Sequence, residues 1–76
     1  MSQVSSELLV AATQRLERVD YWYSDLTTEQ VTALYQMVAE RRSGSLKALV
    51  IGDNDTSAVP LSLIERAKLN KYVLIF

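Results

Sequence analysis

The chain contains neither cysteine nor histidine. Without cysteine no disulfide staples the fold, and no thiolate is present to act as nucleophile or metal ligand. Without histidine the commonest general base, the commonest metal ligand and the usual charge switch near neutral pH are all missing. A basic excess is missing too: eight Lys and Arg stand against nine Asp and Glu, a net charge of −1. That argues against the basic face of a nucleic-acid binder and the polybasic anchor of a membrane-surface protein. No apolar run approaches the roughly 20 residues of a membrane span. The run at residues 8–12 is too short for a signal peptide and lacks its basic start. These absences make the cytoplasm the default expectation, with no cofactor, no nucleic acid and no membrane as partner.

What is present fits one small globular unit. Of the 76 residues, 49% are hydrophobic and 22% charged, a composition that folds rather than stays disordered. A chain of this size buries only about 60% of the surface its unfolded form exposes, so its core is small.

Four stretches carry secondary-structure signals. Residues 6–15 read as a short helix: Leu8, Leu9 and Ala12 recur at helical spacing, with Ser5 or Ser6 as cap. Residues 16–23 read as a strand, from the alternation Val19, Asp20, Tyr21, closed by a turn at Ser24 and Asp25. Residues 27–42 read as the clearest helix. Val31, Leu34, Tyr35 and Val38 form one stripe, and Thr27 with Gln30 has capping-box spacing. Glu29 sits at its start and Arg41 and Arg42 at its end, matching the helix dipole, and Gly44 is placed for a left-handed stop. Leu46, Leu49 and Ile51 then repeat the strand pattern into the turn Gly52-Asp53-Asn54-Asp55. A third helix is expected over residues 58–69, with Ser57 as cap, Pro60 in its first turn, and Leu61, Ile64 and Ala67 on its apolar side. Residues 72–76 close the chain as a strand of five apolar residues.

The middle stretches repeat. Laid thirty positions apart, Leu16, Val19 and Tyr21 fall on Leu46, Leu49 and Ile51. Ser24 and Asp25 fall on Asn54 and Asp55, Thr27 on Ser57, and Val31 and Leu34 on Leu61 and Ile64. Self-similarity of strand, turn and helix at a fixed period is the mark of a stacked array.

The segment Leu46-Lys47-Ala48-Leu49-Val50-Ile51-Gly52-Asp53-Asn54 resembles the leucine-rich-repeat signature L-x-x-L-x-L-x-x-N. The segment at 16–24 keeps the apolar positions, puts Ser24 where the signature has Asn, and adds Leu26. A third copy starts at Leu69, with Tyr72 and Leu74 at the inward positions. The unit length and full helix resemble the ribonuclease-inhibitor-like subclass of the family. The resemblance implies a short right-handed α/β solenoid of about two and a half repeats, with parallel strands on one face and helices on the other. After a disordered tail at 1–5, it divides the chain into a partial repeat at 6–15, repeats at 16–45 and 46–68, and a terminal strand at 69–76. Each strand alone leaves backbone groups unpaired, and stacking pairs them in parallel over a shared aliphatic interior. The Asn position has its own reason: the chain turns inside the stack there, and an inward carboxamide satisfies backbone groups that have lost water.

Residues between the inward positions face outward and are the binding candidates. With the third strand beginning at Leu69, Arg18, Ala48 and Lys71 form one row, and Asp20, Val50 and Val73 the next. Trp22, Gly52 and Ile75 form a third, with Tyr23, Asp53 and Phe76 beside it. In the family this surface commonly binds partner proteins. Trp and Tyr are residue types that anchor interfaces, and Gly52 beside Trp22 leaves room for a ring.

Catalytic and metal readings fare worse. The stretch from Gly52 to Ser57 begins like a calcium loop, but Ala58 stands where glycine is needed and Ile64 where the bidentate Glu is needed. The nine carboxylates fall mostly on turns and helix exteriors, and no base activates a serine. The expected function is a non-enzymatic protein–protein interaction module. The alternatives are a structural piece of a longer array and a small regulatory α/β domain. Apolar residues 72–76 add possible self-association through the terminal strand, since an edge without charge, proline or bulge is a template for another strand.

Overall fold

The computed structural model describes residues 5–22, 25–52 and 54–76. Six elements follow in order: α1 (Ser6–Thr13), β1 (Arg18–Asp20), α2 (Thr28–Ala39), β2 (Ala48–Val50), α3 (Leu61–Lys68) and β3 (Leu74–Ile75). The strands form one sheet in the order β1-β2-β3, with both pairings parallel. Val19 faces Leu49, and Arg18 and Asp20 face Ala48 and Val50, which is the thirty-residue alignment read from the sequence. Each central strand residue is buried and its neighbours are not, so one sheet face is covered. The cover is a helix layer in which α2 packs between α1 and α3.

Local chemistry explains each helix. Ser5, counted with the tail by the repeat division, caps α1: its hydroxyl accepts from the Leu8 amide. The rest of that tail lies outside the described residues. The buried stripe of α1 is Leu9 and Thr13, while Leu8 and Ala12 face solvent. The Thr13 hydroxyl donates to Leu9 O at 2.7 Å and meets the Tyr21 hydroxyl at 2.9 Å, so a polar side chain is buried without an orphan group.

The capping box of α2 forms as expected. Thr27 Oγ1 accepts from the Gln30 amide, and Gln30 Oε1 accepts from the Thr27 amide. Val31, Leu34, Tyr35 and Val38 are all buried, joined by Gln30 and Met37. Burial also pushes the Tyr35 phenol above its ordinary pKa.

The stop of α2 differs from expectation. Arg41, not Gly44, takes the left-handed conformation next to the cap, with φ 60°. The Arg41 amide donates to Val38 O and the Arg42 amide to Met37 O, a Schellman closure built without glycine. Gly44 has φ 59° for another reason. A Cβ there would lie 2.5 Å from the Gln14 carbonyl oxygen, the same oxygen that accepts from the Ser45 amide. Gly44 thus lets the α2–β2 turn close against the end of α1.

The third helix is shorter than its expected span of 58–69. Ser57 does not cap it; the Ser57 amide donates to the Asp55 carboxylate in a local turn, which holds the Asp55 carboxyl below its usual pKa. The helix begins after Pro60 with no side-chain cap. Leu61 is exposed, and the buried side is Ala67 with Leu63 and Ile64 half-buried.

The register of β3 also departs from the sequence alignment. Ala48 pairs with Leu74 and Leu49 with Ile75, whereas the repeat alignment placed Lys71 beside Ala48. A three-residue shift is odd, so every side chain changes face. Val73 enters the core and Ile75 is half-buried, while Tyr72, Leu74 and Phe76 are exposed. Five consecutive apolar residues contain no alternation to set the register; Asn70 sets it. Its buried carboxamide donates to Val38 O and accepts from the Tyr72 amide, both at 3.0 Å, and so fixes where the strand begins.

The core runs from Leu9 through Val19, Leu26, the α2 stripe, Leu46, Leu49 and Ile51 to Val59, Ala67 and Val73. No helix among the described residues is long and apolar enough to cross a membrane.

A left-handed non-glycine residue costs about 1 kcal/mol relative to glycine. Arg41→Gly is therefore expected to raise stability by about that amount in urea denaturation. Gly44→Ala combines positive φ with the Gln14 clash, and is expected to lower stability by at least about 2 kcal/mol.

Candidate functional site: the outer strand face

The face of the sheet opposite the helices is built by alternation along three strands. Arg18, Ala48 and Leu74 form its first row. Asp20 and Val50 begin the second. The Phe76 amide donates to Leu49 O and the Ile51 amide to Phe76 O, which carries the register on and sets Phe76 beside Val50. Trp22 and Gly52 lie at the far end. A Cβ on Gly52 would come within 3.1 Å of Trp22 Cδ1, so the missing side chain lets the indole lie against the backbone. Trp22 is still 57% exposed, and its amide donates to the Asp20 carboxylate at 3.0 Å.

The surface is graded. The β1 side is charged, through Arg18 and Asp20, with a Glu17–Lys47 ion pair at 3.4 Å along the strand starts. Both partners of that pair are largely exposed, so it adds little stability. The β2 and β3 side is apolar: Ala48 and Val50 half-buried, Leu74 and Phe76 each 60% exposed.

Of the residues expected here, Arg18, Asp20, Trp22 and Val50 come together on this face. Lys71 is exposed but lies in the turn before β3. Val73 belongs to the core and Ile75 faces inward, because the β3 register is shifted. Tyr23 and Asp53 lie outside the described residues. Leu74 and Phe76 replace Val73 and Ile75 in the rows. The signal that finds them is Asn70, a helix-terminating residue that starts the strand after Tyr72.

Under the far end of the face lies the turn that holds it. The Asn54 carboxamide donates to Tyr21 O at 2.7 Å and Ile51 O at 3.0 Å, and its Oδ1 accepts from the Leu26 amide at 3.0 Å. One side chain satisfies backbone groups at the exits of both β1 and β2 and at the approach to α2. Ser24, thirty positions earlier, lies outside the described residues.

Among the described residues no three His, Cys, Asp or Glu side chains converge as metal ligands do. No family model, curated protein or solved structure matches the chain.

Asn54→Ala leaves two carbonyls and an amide in a part-buried turn without partners, at roughly 1–3 kcal/mol for a buried orphan group. The expected loss is about 2–4 kcal/mol in urea denaturation, with faster amide exchange at Leu26. A loss below about 0.5 kcal/mol, the range of ordinary surface substitutions, would contradict the role given to this side chain.

Proposed function

We propose that the chain is a leucine-rich-repeat-like unit whose outer strand face binds a partner protein. The observation that carries this reading is the outer face itself. It has an apolar centre of Val50, Leu74 and Phe76, an exposed indole at one end, and charged residues along one margin. Protein interfaces have this anatomy, with aliphatic and aromatic residues at the centre and a polar rim. The parallel register of β1 and β2 at the thirty-residue offset, and the carboxamide of Asn54 bridging both strand exits, support the likeness to the family.

The occupant that fits is a polypeptide segment presenting apolar side chains over Val50 and Phe76, with a polar group towards Arg18 and Asp20. The face acts by binding and not by catalysis, in the cytoplasm, where a cysteine-free chain loses no stabilising disulfide.

A random peptide library displayed on phage and panned against the chain tests this. Enriched peptides are expected to be rich in aromatic and aliphatic residues. They are expected to lose at least tenfold in affinity for Val50→Arg or Trp22→Ala, about 1.4 kcal/mol, and to bind Gln36→Arg on the helix layer unchanged. Enriched peptides that respond to Gln36→Arg and ignore Val50→Arg would move the binding surface to the helices.

A further inference from the structure

At the strand starts the outer face runs into a groove. The segments that lead into β2 and β3 lie side by side there, tied by the Leu74 amide, which donates to Lys47 O at 2.9 Å. The groove has a volume of about 570 Å³, with Ser45, Leu46 and Lys47 on one wall and Lys71, Tyr72 and Leu74 on the other. It lies between two paired strands and not at an edge of the sheet. Leu74 belongs to both surfaces: it sits beside Ala48 in the first row of the outer face, and it lines the groove.

The charge in the groove has one sign. Each wall brings one ammonium, Lys47 or Lys71, and no Asp or Glu lines it. Both lysines are exposed. Lys47 has the Glu17 carboxylate at 3.4 Å, but a pair so exposed is worth little and exchanges for a better placed anion. Among the described residues Lys71 makes no ion pair. Arg18, in the same first row as Ala48 and Leu74, adds a third cation at this end.

The apolar part of the face lies along the strands from this point. Ala48 and Val50 mark two successive rows, two residues and so roughly 7 Å apart. Alternate side chains of an extended segment have the same spacing. An inorganic anion meets the lysines alone, whereas an extended polypeptide reaches the lysines and the apolar rows together.

We infer that the partner segment carries a carboxylate, Asp or Glu, which the groove holds between Lys47 and Lys71. Apolar side chains two and four positions away from it cover Leu74 and then Val50 with Phe76. This rests on the binding role proposed for the outer face, and adds the sign and the spacing of the charge the partner must bring. Like charges meeting in the groove exclude basic segments, so the lysines select the partner and its direction on the face.

Three peptide libraries displayed on phage test this. All share apolar residues at two alternate positions, and the position two residues before them is fixed as Glu, Gln or Lys. On the wild-type chain the Glu library is expected to enrich at least tenfold over the Gln library, with the Lys library last. The double variant Lys47→Glu with Lys71→Glu is expected to reverse that order, and Lys47→Gln with Lys71→Gln to abolish it, each variant first checked by its circular-dichroism melt. Equal enrichment of the Glu and Gln libraries, still lost for Val50→Arg, would overturn the charge assignment and leave the binding face standing. No enrichment of any library would overturn both. A preference for Glu that survives in both double variants would place the carboxylate elsewhere on the molecule. Line broadening of inorganic phosphate in phosphorus magnetic resonance, lost in the Gln variant and without any preference among the libraries, would give the groove to a small anion and overturn the proposal as well.

Discussion

Where the chain leaves each strand it must turn, and at those turns backbone groups lose water without gaining a ladder partner. The carboxamide of Asn54 meets this need at two strand exits together. It donates to Tyr21 O and Ile51 O and accepts from the Leu26 amide. The second of these bonds is local; the first and third span 33 and 28 residues. Asn54 therefore adds side-chain bonds to the strand ladder between β1 and β2. The ladder is short, since each strand has three residues or fewer. Asn70 repeats the device at the next level, joining the end of α2 to the start of β3 through Val38 O and the Tyr72 amide.

With the turns held, the rest follows from alternation. Val19, Leu49 and Ile75 face the helices and their strand neighbours face outward. The helix layer supplies Val31, Leu34, Met37 and Val38, each fully buried. Thin strands and a single core leave the molecule dependent on turn geometry to a degree that a larger sheet would not be. Leu16, before β1, and Leu61, at the start of α3, remain in solvent although their positions in the pattern are apolar.

The parts legible in the sequence were those with redundant signals. The pairing of β1 with β2 rested on coinciding strand and turn positions, and its register is the one observed; the matched cap at Ser57 does not form. The capping box of α2 and the inward role of Asn54 were readable because each requires a particular side chain at a particular spacing. The register of β3 was not readable. Residues 72–76 are uniformly apolar, so nothing in their pattern separates one face from the other, and Val73 and Ile75 were assigned outward in error. Asn70 decides the matter, and its partners lie 32 residues back and two ahead. The stop of α2 was misassigned for a related reason: glycine is the usual left-handed residue, yet tertiary contact with Gln14 claims Gly44, and Arg41 takes the strained position. On the outer face, Arg18, Asp20, Trp22 and Val50 followed from β1 and β2 alone, while Leu74 and Phe76 waited on the third strand.

All of this stands on two segments thirty positions apart lying side by side in the same direction. Inter-strand nuclear Overhauser contacts, measured on the isotopically labelled chain, test that most directly. The account predicts methyl contacts between Val19 and Leu49, with backbone contacts from Arg18 to Ala48 and from Asp20 to Val50 that advance together along both strands. Contacts that run in opposite directions along the two segments, or a Val19 that touches no part of residues 48–50, would contradict it.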